Sequence, residues 1–243
     1  MLEVKNIYKT YRKGKQIIKA LNGLTFTINK NESFALIGPN GAGKTTTIKS
    51  ILNLINVDSG QITINGLDVK FYKNRKLIGY APEIPYYPLH IPAIKLLKIY
   101  LDLYDMKIDD QKIDYYFEMV KLKDFKNYPL SNYSKGMLQR FSILQAIIVE
   151  PELLILDELT SGLDPIGQYE IIQIVKNLKN KKTILFTSHN LAEVEQICDK
   201  VMIINRGRSI FYGTIEELKN RYQADLYKIF FDLIMEDNQH RQV

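Results

Sequence analysis

A single cysteine, Cys198, excludes an intramolecular disulfide and a cysteine-ligated zinc site in this chain of 243 residues. The three histidines, His90, His189 and His240, are dispersed, which argues against a histidine metal centre. No apolar run approaches the roughly 20 residues needed to span a bilayer. The first ten residues, MLEVKNIYKT, lack the apolar core of a signal peptide. A cytoplasmic protein is expected, with any membrane part supplied by other chains. No block of five like charges occurs, so the net charge of +6 reads as a lysine-rich surface and not as a nucleic-acid-binding arm. Internal repeats are lacking as well. With 46% hydrophobic and 25% charged residues, the composition is that of a globular protein and excludes disorder.

What is present alternates between strands and helices. The length allows one large domain, or a core with an inserted subdomain. LEVKNIYKTY, IIKALNGLTFTIN and SFALIG read as strands separated by Asn–Gly and Asn–Lys–Asn turns. A glycine-rich loop and a helix from about Lys44 to Ile55 follow, then a strand at QITING. The stretch GYAPEIPYYPLHIP carries four prolines and is expected to be irregular. Ala93 to Tyr104 and Lys112 to Lys121 have helical periodicity, and the apolar run Gly136 to Val149 reads as a buried helix. LLILDE and TILFTSH have the continuous apolar character of buried parallel strands. VMIINRG and SIFYGT form a closing hairpin, and the aromatic-rich last twenty residues suggest a docking helix with a frayed end. The fold class is therefore α/β, with a largely helical insertion.

Chemistry concentrates in a few places. GPNGAGKT, residues 38–45, matches the phosphate-binding pattern G-x-x-x-x-G-K-[ST] and lies between a strand and a helix, as that pattern requires. At average residue usage a chance match in such a chain has odds of about one in a hundred. The backbone of Gly38, Pro39, Asn40, Gly41, Ala42 and Gly43 would wrap phosphates, Lys44 would reach the β- and γ-phosphates, and the Thr45 hydroxyl would ligate Mg²⁺. LLILDE ends in Asp157 and Glu158. A carboxylate ending a buried strand suits Mg²⁺, usually through water, which assigns Asp157; Glu158 then orients or deprotonates an attacking water. His189 ends another strand at the carboxyl edge of a parallel sheet, where ligands of such folds bind. It is a candidate for a hydrogen bond to the γ-phosphate or to the water. YSKGMLQR, residues 133–140, looks like a helix start without a neighbouring acid, a setting suited to an anion.

Together GPNGAGKTT, YSKGMLQR, LLILDELTSGLDP and LFTSHNLAEVEQICDKV resemble the nucleotide-binding subunit of ATP-binding cassette (ABC) transporters, in that family's order and up to about Leu218. The resemblance implies an α/β fold with a RecA-like P-loop core, an N-terminal antiparallel β-subdomain and an inserted helical subdomain. The cassette would span residues 1–222, with the insertion at about 87–143 and a tail at 223–243. YSKGM, a variant of the commoner LSGGQ signature, together with an IGYxPE stretch, is most similar to cassettes of bacterial exporters of drugs, antimicrobial peptides or lipids.

Further roles come from this resemblance alone. Tyr11 matches the aromatic that stacks on adenine, and Thr46 extends the phosphate loop. Ser134 and Gly136 match the signature residues that cap the γ-phosphate held by a second subunit. Lys135 stands where the common form has glycine, and Met137 and Leu138 depart from the usual pattern ahead of Gln139. Asp164 matches the loop that crosses between subunits, and Leu159 replaces a proline. Glu83 replaces the usual glutamine that contacts Mg²⁺ and water, and is assigned a retained metal contact. The implied ligands are ATP and Mg²⁺; the implied partners are a second ATPase subunit, most simply another copy, and transmembrane permease subunits at the inner face of the cell membrane. Two alternatives are a soluble single-cassette ATPase of an assembly complex and a nucleic-acid-associated ATPase. No nucleic-acid motif stands out, and no acceptor site for a kinase is evident.

Overall fold

The computed structural model describes residues 1–14 and 16–239. Lys15 of the KTYRKGK turn, and His240 with the end of the tail, lie outside the described residues. In chain order the elements are β1 (Leu2–Lys13), β2 (Gln16–Ile28), β3 (Ser33–Ile37), α1 (Lys44–Ile51), β4 (Ser59–Ile64), β5 (Leu67–Asp68), β6 (Ile78–Ala81), α2 (Ala93–Leu103), α3 (Asp110–Met119), α4 (Lys135–Ile148), β7 (Leu153–Asp157), α5 (Pro165–Leu178), β8 (Thr183–Thr187), α6 (Leu191–Ile197), β9 (Lys200–Asn205), β10 (Arg208–Thr214), α7 (Ile215–Tyr222) and α8 (Leu226–Gln239). The α/β class expected from the sequence is observed. The chain divides into two units, Met1–Arg75 with Lys179–Val243, and Lys76–Leu178.

In the first unit β1 pairs antiparallel with both β2 and β4. The β4–β5 turn is made by Asn65 and Gly66, both at positive φ (51° and 78°), the left-handed pair that a tight hairpin favours. This is the N-terminal antiparallel sheet. β3 runs parallel to β8 and to β9, and β10 returns antiparallel to β9 across Arg206–Gly207, the expected hairpin. Every residue of β3 and β8 is buried, which explains their unbroken apolar sequences. Phe26 of β2 stacks on Phe34 of β3 with ring centroids 5.2 Å apart. Burial of each ring stabilises the fold by roughly 1.5–3 kcal/mol, and the pair sets the antiparallel sheet against the strand that leads into the phosphate loop.

Helix α1 stops at Ile51, short of the expected Ile55. Asn53 adopts a left-handed φ of 52°, and the Lys49 carbonyl accepts from the Leu54 and Ile55 N–H groups, closing the helix. At the other end of the unit, Thr214 and Glu217 form a reciprocal capping box that starts α7. Helix α8 lies against α6, α7 and β9, and the Asn205 amide donates to Asp237 at 2.8 Å.

The second unit contains β6 parallel to β7, with Ile78 to Ala81 in register with Leu153 to Leu156. The proline-rich stretch is thus not irregular throughout: Gly79, Tyr80 and Ala81 complete a strand, because the first proline comes only at residue 82. Helix α3 begins earlier than expected because Asp109 accepts from the Lys112 N–H at 2.7 Å, and it ends where Lys121 turns left-handed. Helix α4 follows Ser134, whose hydroxyl accepts from the Met137 N–H at 3.2 Å. Its Phe141 is fully buried against the rings of Tyr87, Phe117 and Tyr133 at 5.3–6.3 Å. Helix α5, not foreseen from the sequence, opens on Pro165, whose fixed φ and missing N–H suit a first helical position.

Candidate functional site

The phosphate loop leaves the buried β3 and ends at the N-terminus of α1. A Cβ on Gly38 would lie 2.3 Å from the Ile204 carbonyl oxygen, and one on Gly43 would lie 2.6 Å from that of Ala20. Both positions therefore need glycine for close backbone approach. Around Gly41, at φ 79°, there is open space. The start of α1 has no side-chain cap and no acid in its first turn, so its N–H groups and positive dipole end are offered to an anion. The Lys44 side chain is buried, and its ammonium donates to the Gly38 carbonyl at 2.7 Å across the loop. Thr45 is exposed and Thr46 half-buried. In the same unit, Tyr11 is 40% exposed on β1, paired with Ile18, and the Lys9 ammonium lies 5.6 Å from its ring centroid. His189 is exposed just after β8. It shares a cavity of about 550 Å³ with Asn190, Glu195, Asp225 and Tyr227.

The carboxylates belong to the second unit. Asp157 ends β7 and is 5% exposed, and the Tyr80 hydroxyl donates to it at 3.4 Å. Burial first, and the charges of Asp157 and Glu83 second, push the Tyr80 hydroxyl far above its usual range, so it stays a neutral donor. Glu158 is half-buried at φ 49°, a strained backbone position for a side chain of this size, and its carbonyl accepts from the Ser161 N–H at 3.0 Å. Glu83 is exposed directly after Pro82. The Pro82 carbonyl accepts from the buried Gln139 amide at 2.8 Å, which ties this loop to α4. Neither Tyr80 nor the Gln139 tether was identified from the sequence. Tyr80 lies two residues before a proline at a strand end, and only the β6–β7 register brings it to Asp157.

The signature segment and the loop after β7 meet in this unit. Ser134, Lys135, Gly136, Leu163, Asp164 and Glu170 are among the residues around a cavity of about 310 Å³. Ser134 is exposed and Gly136 half-buried. Lys135 donates to the Ser161 carbonyl at 2.7 Å. Asp164 accepts from the Gly167 N–H at 2.7 Å and caps the first turn of α5. Residues 38–46, Tyr11 and His189 thus share one unit, while Glu83, Ser134, Gly136, Asp157, Glu158 and Asp164 share the other.

The residues present fit a nucleotide and a hard divalent cation. The open space at Gly41 and the uncapped start of α1 suit phosphate oxygens. Within the first unit Thr45 carries a hydroxyl, and within the second Asp157 and Glu83 carry carboxylates, donors of the oxygen type that Mg²⁺ prefers. Among the described residues no cluster of three or more His, Cys, Asp or Glu side chains is gathered to hold an ion. Mg²⁺ typically takes one or two protein ligands and completes its shell with phosphate and water. Among the described residues, no helix is long and apolar enough to cross a membrane.

Comparison with known proteins shows the family to which the chain is similar. The family model described as ABC transporter matches residues 21–161, more than half of the chain. An uncharacterised ABC transporter ATP-binding protein of Synechocystis is 38% identical over 221 residues, 89% of this chain and 62% of the relative. The chain therefore spans less than two thirds of that relative's length. The linearmycin resistance ATP-binding protein LnrL of Bacillus subtilis is 38% identical over 231 residues, covering 93% of this chain and 73% of LnrL. A solved ATP-binding subunit of an ABC transporter superposes with a TM-score of 0.84 at 30% identity, covering 96% of this chain and 99% of that one.

Proposed function

The chain belongs to the ABC transporter family, and from that premise we propose that it is the ATP-binding and ATP-hydrolysing subunit of a membrane exporter. The phosphate loop carries the proposal: a glycine cradle between a buried strand and an uncapped helix, with the Lys44 ammonium folded over it. Backbone N–H groups of residues 40–46 hold the phosphates, Lys44 draws charge from the β- and γ-phosphates, and Tyr11 stacks on adenine. Mg²⁺, when bound, neutralises developing phosphate charge, and Thr45, Asp157 and Glu83 are the residues that would hold it. Glu158 takes a proton from the attacking water as the new O–P bond forms and the γ–β bridge breaks. His189 orients the γ-phosphate or that water. Catalysis is mostly positioning and charge stabilisation.

Ser134 and Gly136 close on the γ-phosphate of a second copy, and Asp164 contributes to the interface between the copies. The exposure of Ser134 at the dipole end of α4 supports this reading, since a helix start open to solvent can receive a phosphate from another chain. Transmembrane permease subunits at the inner membrane face receive the motion, with the loop from Glu83 to Pro92 as the docking surface. Exposed Ile84, Tyr86 and Leu89 support that assignment. The YSKGM signature and the similarity to LnrL favour export.

Glu158→Gln tests the proposal. The variant is expected to bind ATP as the wild type does, to lose hydrolysis by at least about a hundredfold, within the range for removal of a general base, and to accumulate as an ATP-dependent dimer on gel filtration. Near-normal turnover in the variant would remove Glu158 as the base. A wild-type chain that neither binds nor hydrolyses ATP would remove the function.

A further inference from the structure

The lysine in YSKGM has no counterpart in the commoner signature, and its surroundings show what it does in this chain. Lys135 is the first residue of α4, at the positive end of the helix dipole, with no acid in the first turn to offset it. A cation is disfavoured there unless something nearby accepts it. The acceptor is the Ser161 carbonyl, 2.7 Å from the ammonium nitrogen, a distance typical of a charge-assisted bond. The ammonium fills the place where a side chain on residue 162 would begin: a Cβ on Gly162 would lie 2.5 Å from it, and Gly162 is at φ 65°. Lys135 and Gly162 are therefore a matched pair, one filling the space the other leaves.

Ser161 is the middle of a short connection with both ends pinned. At its start the Ser161 N–H donates to the Glu158 carbonyl at 3.0 Å, and Leu163 donates to Thr160 at 3.2 Å. At its end the Asp164 carboxylate caps α5. The ammonium holds the centre. The bond thus joins the start of α4, one residue from Ser134, to the segment that carries both Glu158 and Asp164.

We propose that Lys135 is a positioning residue that locks the Glu158–Asp164 segment to the start of the signature helix, so that engagement of a ligand at Ser134 and the placement of Glu158 are coupled. The lysine is committed to a protein carbonyl and does not serve as a phosphate ligand. This inference rests on the ATPase reading above and deepens it.

Three substitutions test it. Lys135→Met keeps most of the side-chain length without the ammonium, Lys135→Arg keeps a cationic donor, and Gly162→Ala puts a methyl group in the ammonium's place. Hydrogen exchange on the nucleotide-free chain reads the contact without hydrolysis. Amides of residues 159–164 should exchange about tenfold faster in Lys135→Met and Gly162→Ala and near the wild-type rate in Lys135→Arg. In steady-state hydrolysis the first two variants should lose about tenfold in kcat, about 1.4 kcal/mol, with KM for ATP within about twofold, the pattern of a lost transition-state interaction. Lys135→Arg should recover most of kcat, and Lys135→Met combined with Gly162→Ala should lose less than the two single losses together, because both remove one contact and only the alanine adds backbone strain at φ 65°.

Unchanged exchange in residues 159–164 overturns the proposal, as does a rise in KM that accounts for the loss, which would make Lys135 a phosphate contact. Additive loss in the double variant overturns it too. Should Lys135→Met fail to fold, Gly162→Ala decides: wild-type exchange and kcat in that variant refute the lock. A wild-type chain without ATPase activity refutes the functional reading instead, while the exchange measurement still decides the Lys135 contact.

Discussion

Substitution of Gly79 by alanine should destabilise this protein out of proportion to the one methyl group added. Gly79 lies in β6 where α4 crosses it. A Cβ there would come 2.0 Å from the Ala146 carbonyl oxygen and 2.8 Å from the Pro151 ring. Relief to even 3.0 Å requires strand and helix to separate by about 1 Å, since the obstacle is backbone and cannot rotate away. Overpacking in a core costs about 1–3 kcal/mol where side chains can yield; with a carbonyl oxygen as the obstacle the upper end, about 3 kcal/mol, is expected. For a chain of this size each kcal/mol lowers Tm by about 2–4 °C, so Gly79→Ala should melt about 6–12 °C below the wild type by circular dichroism. Gly66→Ala is the control. Its φ of 78° is left-handed, unlike that of Gly79, but nothing lies within 4 Å, so only backbone strain of about 1–2 kcal/mol applies. Ala146→Gly should not rescue Gly79→Ala, because the contact is with the carbonyl and not with the alanine methyl. A Gly79→Ala protein that melts within a degree of the wild type, or that Ala146→Gly restores, would refute this account of β6–α4 packing.

Alkaline pH should weaken the second unit in particular. The hydroxyls of Tyr87, Tyr116 and Tyr133 are pushed up to about 12, chiefly by burial; Glu150 adds to the effect at Tyr116, while Ser142 and Arg140 oppose it at Tyr87 and Tyr133. The folded chain keeps protons that the unfolded chain releases near pH 10. This contribution to stability is therefore complete below about pH 10 and is lost as pH rises toward 12. The urea midpoint should fall between pH 9 and pH 11, and less steeply in Tyr87→Phe; a midpoint that rises, or an unchanged slope in the variant, counts against it. Glu83→Gln should keep nucleotide affinity within about tenfold, or 1.4 kcal/mol, measured by fluorescent-nucleotide titration. Loss of binding in that variant would contradict a supporting metal contact and make the carboxylate essential.

Much of the fold was legible because its signals are local. The unbroken apolar runs of β3, β7 and β8 report burial on both faces, and each strand is completely buried. The phosphate loop has fixed spacing between a strand and a helix, and α4 begins where a serine precedes an apolar run. Element ends were less legible. Asn53 and Lys121 close helices through left-handed backbone, which periodicity does not register, and β6 hid in a stretch judged by prolines that follow it.

By itself, the sequence determined the chemistry available: Lys44 in its glycine loop, the acids ending β7, and the helix start at Ser134. Only the tertiary structure decided what those groups touch. Tyr80 reaches Asp157 across 77 residues, Gln139 reaches Pro82 across 57, and Lys135 reaches Ser161 across 26. Such pairs carry no spacing signal of their own. They depend on the parallel register of β6 and β7 and on how closely α4 lies against β6, and that closeness exists because residue 79 has no side chain.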